Sequence, residues 1–386
     1  MRIIKAIALA LLPLSIAGCT GKQQSKAPKL AVVDLSTAYP QQELKAQEVF
    51  DVEYIPLEST DEFVTQGVVE DVGEKLLLIR NYRDGSFFLF DRNGKGVRRI
   101  NHRGQGGEEY TQIMRAILDE KSQEVFIVDG AAKQVVVYDL QGAFKRRFKF
   151  ADTSYYTNIY NYDAEHLIAF KGYSPLIESE QSGFVLLSKQ SGTISKEITL
   201  PAQAVRTPII TKGEMTLTMS FYLSAPCREG WLLMRPSSDT IYHYSPAGEL
   251  STRMVRTPSI QTMEEPATFL FPATDSERYY FLHTLSKKFD FERMKGTVTP
   301  DLAYDKQEHR VFEYTMYNDD FSTPKELSLN SQPIGHDIAL CLPLDAPMLV
   351  EARQKGELKG ALKEIASSLN DESNPVLMLL KHRRHP

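Results

Sequence analysis

Residues 78–94 read Leu-Ile-Arg-Asn-Tyr-Arg-Asp-Gly-Ser-Phe-Phe-Leu-Phe-Asp-Arg-Asn-Gly. An apolar run, a polar turn at Asp84-Gly85, a second apolar run ending at Phe90 and a turn closing on Gly94 predict two strands of a meander. The phrase returns at 126–142 (Phe-Ile-Val-Asp-Gly-Ala-Ala-Lys-Gln-Val-Val-Val-Tyr-Asp-Leu-Gln-Gly) and at 232–248 (Leu-Leu-Met-Arg-Pro-Ser-Ser-Asp-Thr-Ile-Tyr-His-Tyr-Ser-Pro-Ala-Gly). A fainter copy places strands at 167–170 and 183–188, with its turn at Gly192. The closing glycines Gly94, Gly142, Gly192 and Gly248 are therefore 48, 50 and 56 residues apart. Units of that length with several short strands suit propeller blades, whereas solenoid repeats are shorter or helical. The 386-residue chain also exceeds the roughly 250–300 residues that one core serves, and a repeat architecture resolves this.

Two further units are weaker. The fifth pairs 278–284 with 310–317 across a charged insertion around 287–306. The sixth consists of 338–342, an amphipathic helix over 355–369 with Leu358, Leu362, Ile365 and Leu369 on one face, and 375–381. The alternating stretch 49–57 has no hairpin partner of its own. Its place is beside 375–381, where one blade shared between the chain ends closes a ring and removes exposed strand edges. The expected fold is all-β: a six-bladed β-propeller with four-stranded blades over 46–386, its ring closed by an N-terminal strand, with a short C-terminal helix.

The first residues supply an address. Arg2 and Lys5 precede an apolar stretch, 6–14, too short to span a bilayer. Leu14-Ser15-Ile16-Ala17-Gly18-Cys19 then resembles a bacterial lipobox. That resemblance implies a lipoprotein signal peptide over 1–18 and lipid attachment at Cys19, which would hold the protein at a membrane without a transmembrane helix. Residues 19–45 read as a flexible tether, polar at first. No acidic residue occurs between Cys19 and Asp34, and surface-exported lipoproteins of Bacteroides-type bacteria usually carry an acidic patch there. A periplasm-facing anchor in the cell envelope is therefore favoured over the cell surface.

The formal charge of −5 becomes −7 once a leader carrying Arg2 and Lys5 is removed, so the chain lacks the basic field that nucleic-acid binding needs. The basic tail at 381–385 reads as a solvated end. Cys227 and Cys341 sit in apolar runs and read as separate buried thiols. The Gly-rich loop 103–110 lacks the Lys-Ser/Thr and the strand–loop–helix context of a phosphate loop. As a connecting loop it still offers Arg103, Gln105, Glu108, Glu109 and Tyr110 as a possible ligand face. Adjacent acids at Glu108-Glu109, Glu264-Glu265 and Asp319-Asp320 point to opposite faces of a strand and make poor general acid/base pairs. Aromatic clusters at Tyr155-Tyr156, Tyr160, Tyr162 and Tyr279-Tyr280-Phe281 suit blade packing, or the stacking of sugars and peptides.

Taken together, the lipobox, 49–57 with Ile55-Pro56-Leu57-Glu58, Phe90-Asp91-Arg92-Asn93-Gly94, the loop 103–110 and 369–377 resemble the six-bladed propeller lipoproteins of Bacteroides-type bacteria, relatives of NHL-repeat propellers. One departure is Gly107, where relatives commonly carry proline. The resemblance implies architecture and location but transfers no catalytic residue. Function on this reading is a lipid-anchored, non-catalytic binding or interaction module, contacting the membrane through its lipid and a glycan, peptide or envelope protein through its loops. No cofactor and no metal is expected. The alternative is a metal-dependent lyase or lactonase of the NHL-like type, in which His102, His243, His283 and His336 would meet in the central channel. Departures from the repeat, after Gly104, at 171–182 and around 287–306, are where function is expected.

Overall fold

The computed structural model describes residues 30–150, 154–172, 182–201, 203–217, 220–227, 229–265, 267–332 and 334–383. The leader and Cys19 lie outside these residues. Six sheets stand around an axis as the blades of a propeller. Blade 1 is a meander of Val68–Val72, Leu76–Arg80, Phe87–Asp91 and Gly96–Ile100. Blade 2 repeats it with Ile113–Asp119, Glu124–Asp129, Gln134–Asp139 and Phe144–Lys149, and blade 3 with Tyr155–Asn161, His166–Gly172, Gly183–Ser188 and Ile194–Ile198. In each blade the first strand lies innermost.

The repeated phrase folds this way because each of its strands is apolar on both faces. In blade 1, Leu78, Phe87 and Leu89 pack against Ala116, Leu118, Val125 and Ile127 of blade 2. Their neighbours Leu77, Ile79, Phe88 and Phe90 pack the other way, against Ile55, Leu377 and Leu379 of blade 6. Side-chain alternation thus feeds two inter-blade cores at once. The turn between the third and fourth strands is fixed by an Asp and a Gly. Asp91 Oδ1 accepts the Asn93 and Lys95 N–H groups, and Asp139 Oδ1 those of Gln141 and Ala143. Gly94, Gly142, Gly192 and Gly248 all take positive φ, between 70° and 89°. At Gly94 a Cβ would stand 2.0 Å from the Pro56 carbonyl oxygen, so the position tolerates no side chain.

Ring closure follows the expected pairing: Asp51–Pro56 runs antiparallel to Val376–Lys381, with Ile55 opposite Leu377. The blades are not uniformly four-stranded, however. Blade 6 has three strands, Ile338–Leu344, Val376–Lys381 and Asp51–Pro56. The stretch before Ile338 runs as irregular chain, with Leu329 and Ile334 buried. Two helices, Ala346–Gln354 and Gly360–Ala366, fill the connection where one was expected. Blade 4 gains a fifth strand, because Ala31–Asp34 lies parallel to Leu250–Thr257 on its outer edge. Blade 5 gains Gln41–Lys45, parallel to Arg310–Asn318. The tether expected over 19–45 is therefore replaced, from Ala31 onward, by a belt crossing the rims of blades 4 and 5 before the chain enters blade 6. Blade 5 also holds a strand inside the expected insertion: Leu302–Asp305 pairs with both Tyr279–Ser286 and Arg310–Asn318.

Candidate ligand-binding face

Innermost strands begin at one face of the ring, here called upper. The loops joining successive blades lie there, as do the loops between the second and third strands of each blade. All three departures from the repeat belong to this face. The loop after Gly104 joins blades 1 and 2. The stretch 171–182 leaves the upper edge of blade 3 at Gly172 and returns at Gly183, its middle lying outside the described residues. The insertion of blade 5 forms a hairpin, Phe289–Asp290 with Lys295–Gly296, and a second hairpin, Ile210–Lys212 with Met215–Leu217, precedes blade 4. Lys212 Nζ sits 5.0 Å from the Phe291 ring centre and links the two hairpins.

An open cavity of about 440 Å³ lies between blades 1 and 2 on this face, lined by Arg80, Tyr82, Arg103, Tyr110 and Gln112 among others. Tyr110 is a wall rather than a contact group. It is fully buried, its hydroxyl donates to the Gly85 carbonyl at 2.7 Å, and burial pushes its pKa up to about 12. Arg103 is exposed on the rim and donates from Nη1 to the Arg83 carbonyl at 3.2 Å. Tyr82 is 62% exposed. The Arg80 guanidinium lies 4.2 Å from its ring centre and backs one face, so the other is open to a ligand. Gln105, Glu108 and Glu109 do not line the cavity. Glu108 contributes its carbonyl to the Tyr138 hydroxyl at 2.5 Å, and Glu109 Oε2 accepts the Gly106 N–H at 2.6 Å, folding the loop on itself. A side chain at Gly107 would meet open space, so the proline of relatives is sterically compatible with this loop.

Behind the cavity stands a buried charge network. Glu70, on the innermost strand of blade 1, reaches Arg80 Nη2 at 2.7 Å and Arg115 Nη1 at 3.7 Å, and accepts the Ala116 N–H at 2.9 Å. Arg80 also donates to the Ile113 carbonyl. Arg115 lies 5.2 Å from the Tyr160 ring centre, bringing blade 3 into contact with the network. Tyr222, entering blade 4, is within electrostatic reach of Arg115 and Tyr82, and burial raises its hydroxyl pKa.

Asp71 follows Glu70 at a register shift in the strand, and burial raises its carboxyl to about 6 despite the Arg115 charge and the Leu118 N–H it accepts. Between the ordinary value of 3.8 and about 6, the folded chain holds a proton that the unfolded chain has released. Stability from this group therefore falls as pH rises through that window, and stays lost above it. Asp71 is only half-buried, and solvent screening holds the step to roughly 1–2 kcal/mol. Urea unfolding at pH 4.5 and 7.5 is expected to show a pH-dependent loss smaller by that amount in Asp71→Asn than in the parent chain.

The four candidate channel histidines take four separate partners. His102 Nε2 donates to the Gly142 carbonyl, His243 Nε2 to the Glu229 carbonyl, His283 Nδ1 to Asp301 Oδ1 and His336 Nδ1 to the Cys227 carbonyl, all at 2.8–2.9 Å. Among the described residues, no group of three or more His, Cys, Asp or Glu is placed to hold a metal ion. Cys227 and Cys341 are separate buried thiols, and burial pushes Cys227 up to about 12. The flagged aromatics are mostly core: Tyr156, Tyr160, Tyr279, Tyr280 and Phe281 are buried. A wider cavity, about 760 Å³, opens on the lower face between blades 6 and 1. Two of its cations, Arg92 and Lys381, are already paired with Glu53, at 2.7 and 3.1 Å.

Fold and surface together define a six-bladed propeller with an elaborated upper face. The chain belongs to the family described as Domain of unknown function (DUF4934), whose model matches residues 30–381. No curated protein matches the sequence. Among solved structures, a Bacteroides fragilis NCTC 9343 protein described as exported is similar at 14% identity and a TM-score of 0.59, over 92% of this chain and all of that one. A Bacteroides vulgatus member of the DUF4221 family is similar at 9% identity and 0.45, over 88% and 98% of the two chains. Virginiamycin B lyase from Staphylococcus aureus is similar at 12% identity and 0.36, over 68% and 73%. At 14% identity the likeness to the Bacteroides fragilis protein shows the fold alone.

Proposed function

We propose that this protein is a lipid-anchored binding module of the bacterial envelope, facing the periplasm, which holds a glycan, peptide or partner protein on its upper face without transforming it. The observation that carries this reading is the open cavity between blades 1 and 2, where the exposed Tyr82 ring stands beside Arg80, Arg103 and Gln112. An exposed aromatic with convergent polar groups, on loops held by a rigid scaffold, is the common form of a small-ligand site. The lipobox ending at Cys19 supports the anchor. The metal-dependent lyase reading draws no support from the histidines, which are each engaged locally.

The mature protein, screened on arrays of envelope glycans and peptides, is expected to retain a ligand that Tyr82→Ala loses by roughly tenfold or more, in line with an aromatic anchor worth about 2 kcal/mol. Ligand recovered chemically altered would replace the binding reading by an enzymatic one, and binding indifferent to Tyr82 would move the site elsewhere. Cys19→Ala is expected to release the protein from the membrane fraction.

A further inference from the structure

We propose that the cavity between blades 1 and 2 selects a carboxylated sugar, with the sugar ring on the open face of Tyr82 and the carboxylate held by Arg103 in front of Arg80. This rests on the binding reading above and adds the chemistry of the ligand.

Charge carries the argument. Arg80, Arg103 and Arg115 gather at or behind the cavity; Glu70 pairs with Arg80 and Arg115, and Asp71 lies within electrostatic reach of Arg115, so Arg103 is the cation these acids leave unanswered. Other acids nearby are committed elsewhere. Asp84 accepts from Ser86 and pairs with Arg99 at 3.1 Å, while Asp129 accepts the Thr111 N–H and hydroxyl at 2.7 and 2.8 Å. Among the described residues Arg103 has no carboxylate within ion-pair distance, and its side-chain bond to the Arg83 carbonyl occupies a single nitrogen of the fork. The site therefore carries an excess of guanidinium, which recognises planar carboxylates in bidentate fashion. A structural account explains Arg80 and Arg115 as mortar between blades, but it leaves Arg103 and Tyr82, both exposed, without a role.

Shape then narrows the class. Tyr82 offers a flat apolar face next to the cation, which suits a sugar ring bearing its acid on the ring and suits a simple aliphatic carboxylate poorly. About 440 Å³ falls within the roughly 300–1,000 Å³ typical of small-ligand sites. The opening admits one or two sugar units, with a longer chain leaving through the open side.

Digalacturonate and its dimethyl ester separate charge from ring shape, since the ester keeps both rings and loses both charges. Calorimetric or NMR titration is expected to show the ester binding at least roughly tenfold more weakly. Arg103→Gln should bring digalacturonate down to the level of the ester while leaving ester binding unchanged, and Tyr82→Ala should weaken both. A thermal melt of Arg103→Gln matching the parent chain confirms that the exposed substitution has not unfolded the protein. Equal binding of acid and ester, or an Arg103→Gln variant that binds the acid normally, overturns the carboxylate inference while a Tyr82-dependent ligand leaves the binding module standing. Binding of an acidic dipeptide but not of digalacturonate overturns the sugar and keeps the anion site. If neither uronate nor any array ligand binds in a Tyr82-dependent way, both readings fall.

Discussion

Glu70→Ala is expected to destabilise the protein by about 3–5 kcal/mol, the cost of leaving buried cations without their counter-charge. Glu70 is 2% exposed and the Arg80 and Arg115 side chains 8% each, so solvent cannot take over the lost role. The substitution removes the carboxylate paired with both guanidiniums and the acceptor of the Ala116 N–H together. Because the network joins blades 1 and 2 and touches Tyr160 of blade 3, the loss should appear as a lower urea midpoint for the whole ring. Glu70→Gln keeps the shape and an acceptor, and should fall between the two. An exposed pair provides the contrast: Lys355 and Glu351, at 2.6 Å but more than half exposed on both sides, should show no measurable change on Lys355→Ala. A midpoint unchanged in Glu70→Ala would mean that Arg80 and Arg115 find other partners, and that the network is not what joins these blades.

How far this site was legible depended on what each residue was doing locally. The repeat could be read because its third-to-fourth-strand turn needs an Asp acceptor and a positive φ, and both leave residues behind at Asp91 and Gly94, and at Asp139 and Gly142. Blade 5 makes a different turn between its third and fourth strands: Asp305 Oδ1 accepts the Gln307 and Glu308 N–H groups, and the left-handed residue comes one position later and is His309, at φ 54°, not a glycine. Without the glycine the strand Leu302–Asp305 looked like part of a charged insertion. The belt strands were hidden for a different reason. Gln41–Lys45 has an exposed or half-exposed side chain at every position, so backbone pairing holds it and no apolar pattern announces it. In the site itself, the Gly-rich loop drew attention to Arg103 and Tyr110. Tyr82 and Arg80 lie inside the repeated phrase and did not stand out as site residues. The available signal was a charge ending the apolar run Leu76–Arg80, followed by a tyrosine in a polar turn.

The second large effect is expected at the seam of the ring. Blades 1 to 3 take all their strands from a continuous stretch of chain, whereas blade 6 takes one from the N-terminal part and two from the C-terminal part. Asn374 sits at that seam, 4% exposed. Its Oδ1 accepts the Thr65 N–H at 2.9 Å, and its Nδ2 donates to the Glu58 and Phe63 carbonyls at 2.6 and 2.5 Å. One amide thus ties the strand Val376–Lys381 to the 58–65 link that carries the chain from blade 6 into blade 1. Asn374→Ala removes three hydrogen bonds and leaves three backbone groups searching for partners in a buried place, which sums to about 3–4.5 kcal/mol when each is worth roughly 1–1.5. Asn374→Asp keeps the acceptor but loses both donors and sets a carboxylate against two carbonyl oxygens, so it should be at least as damaging. Hydrogen exchange discriminates this effect from the one at Glu70. Amides of Asp51–Pro56 and Val376–Lys381, which pair across the seam, should lose protection first in Asn374→Ala, while those of Glu124–Asp129 in blade 2 should lose it later. Uniform loss of protection around the ring would show instead that the blades open together and that the seam is no weaker than the covalently continuous joints.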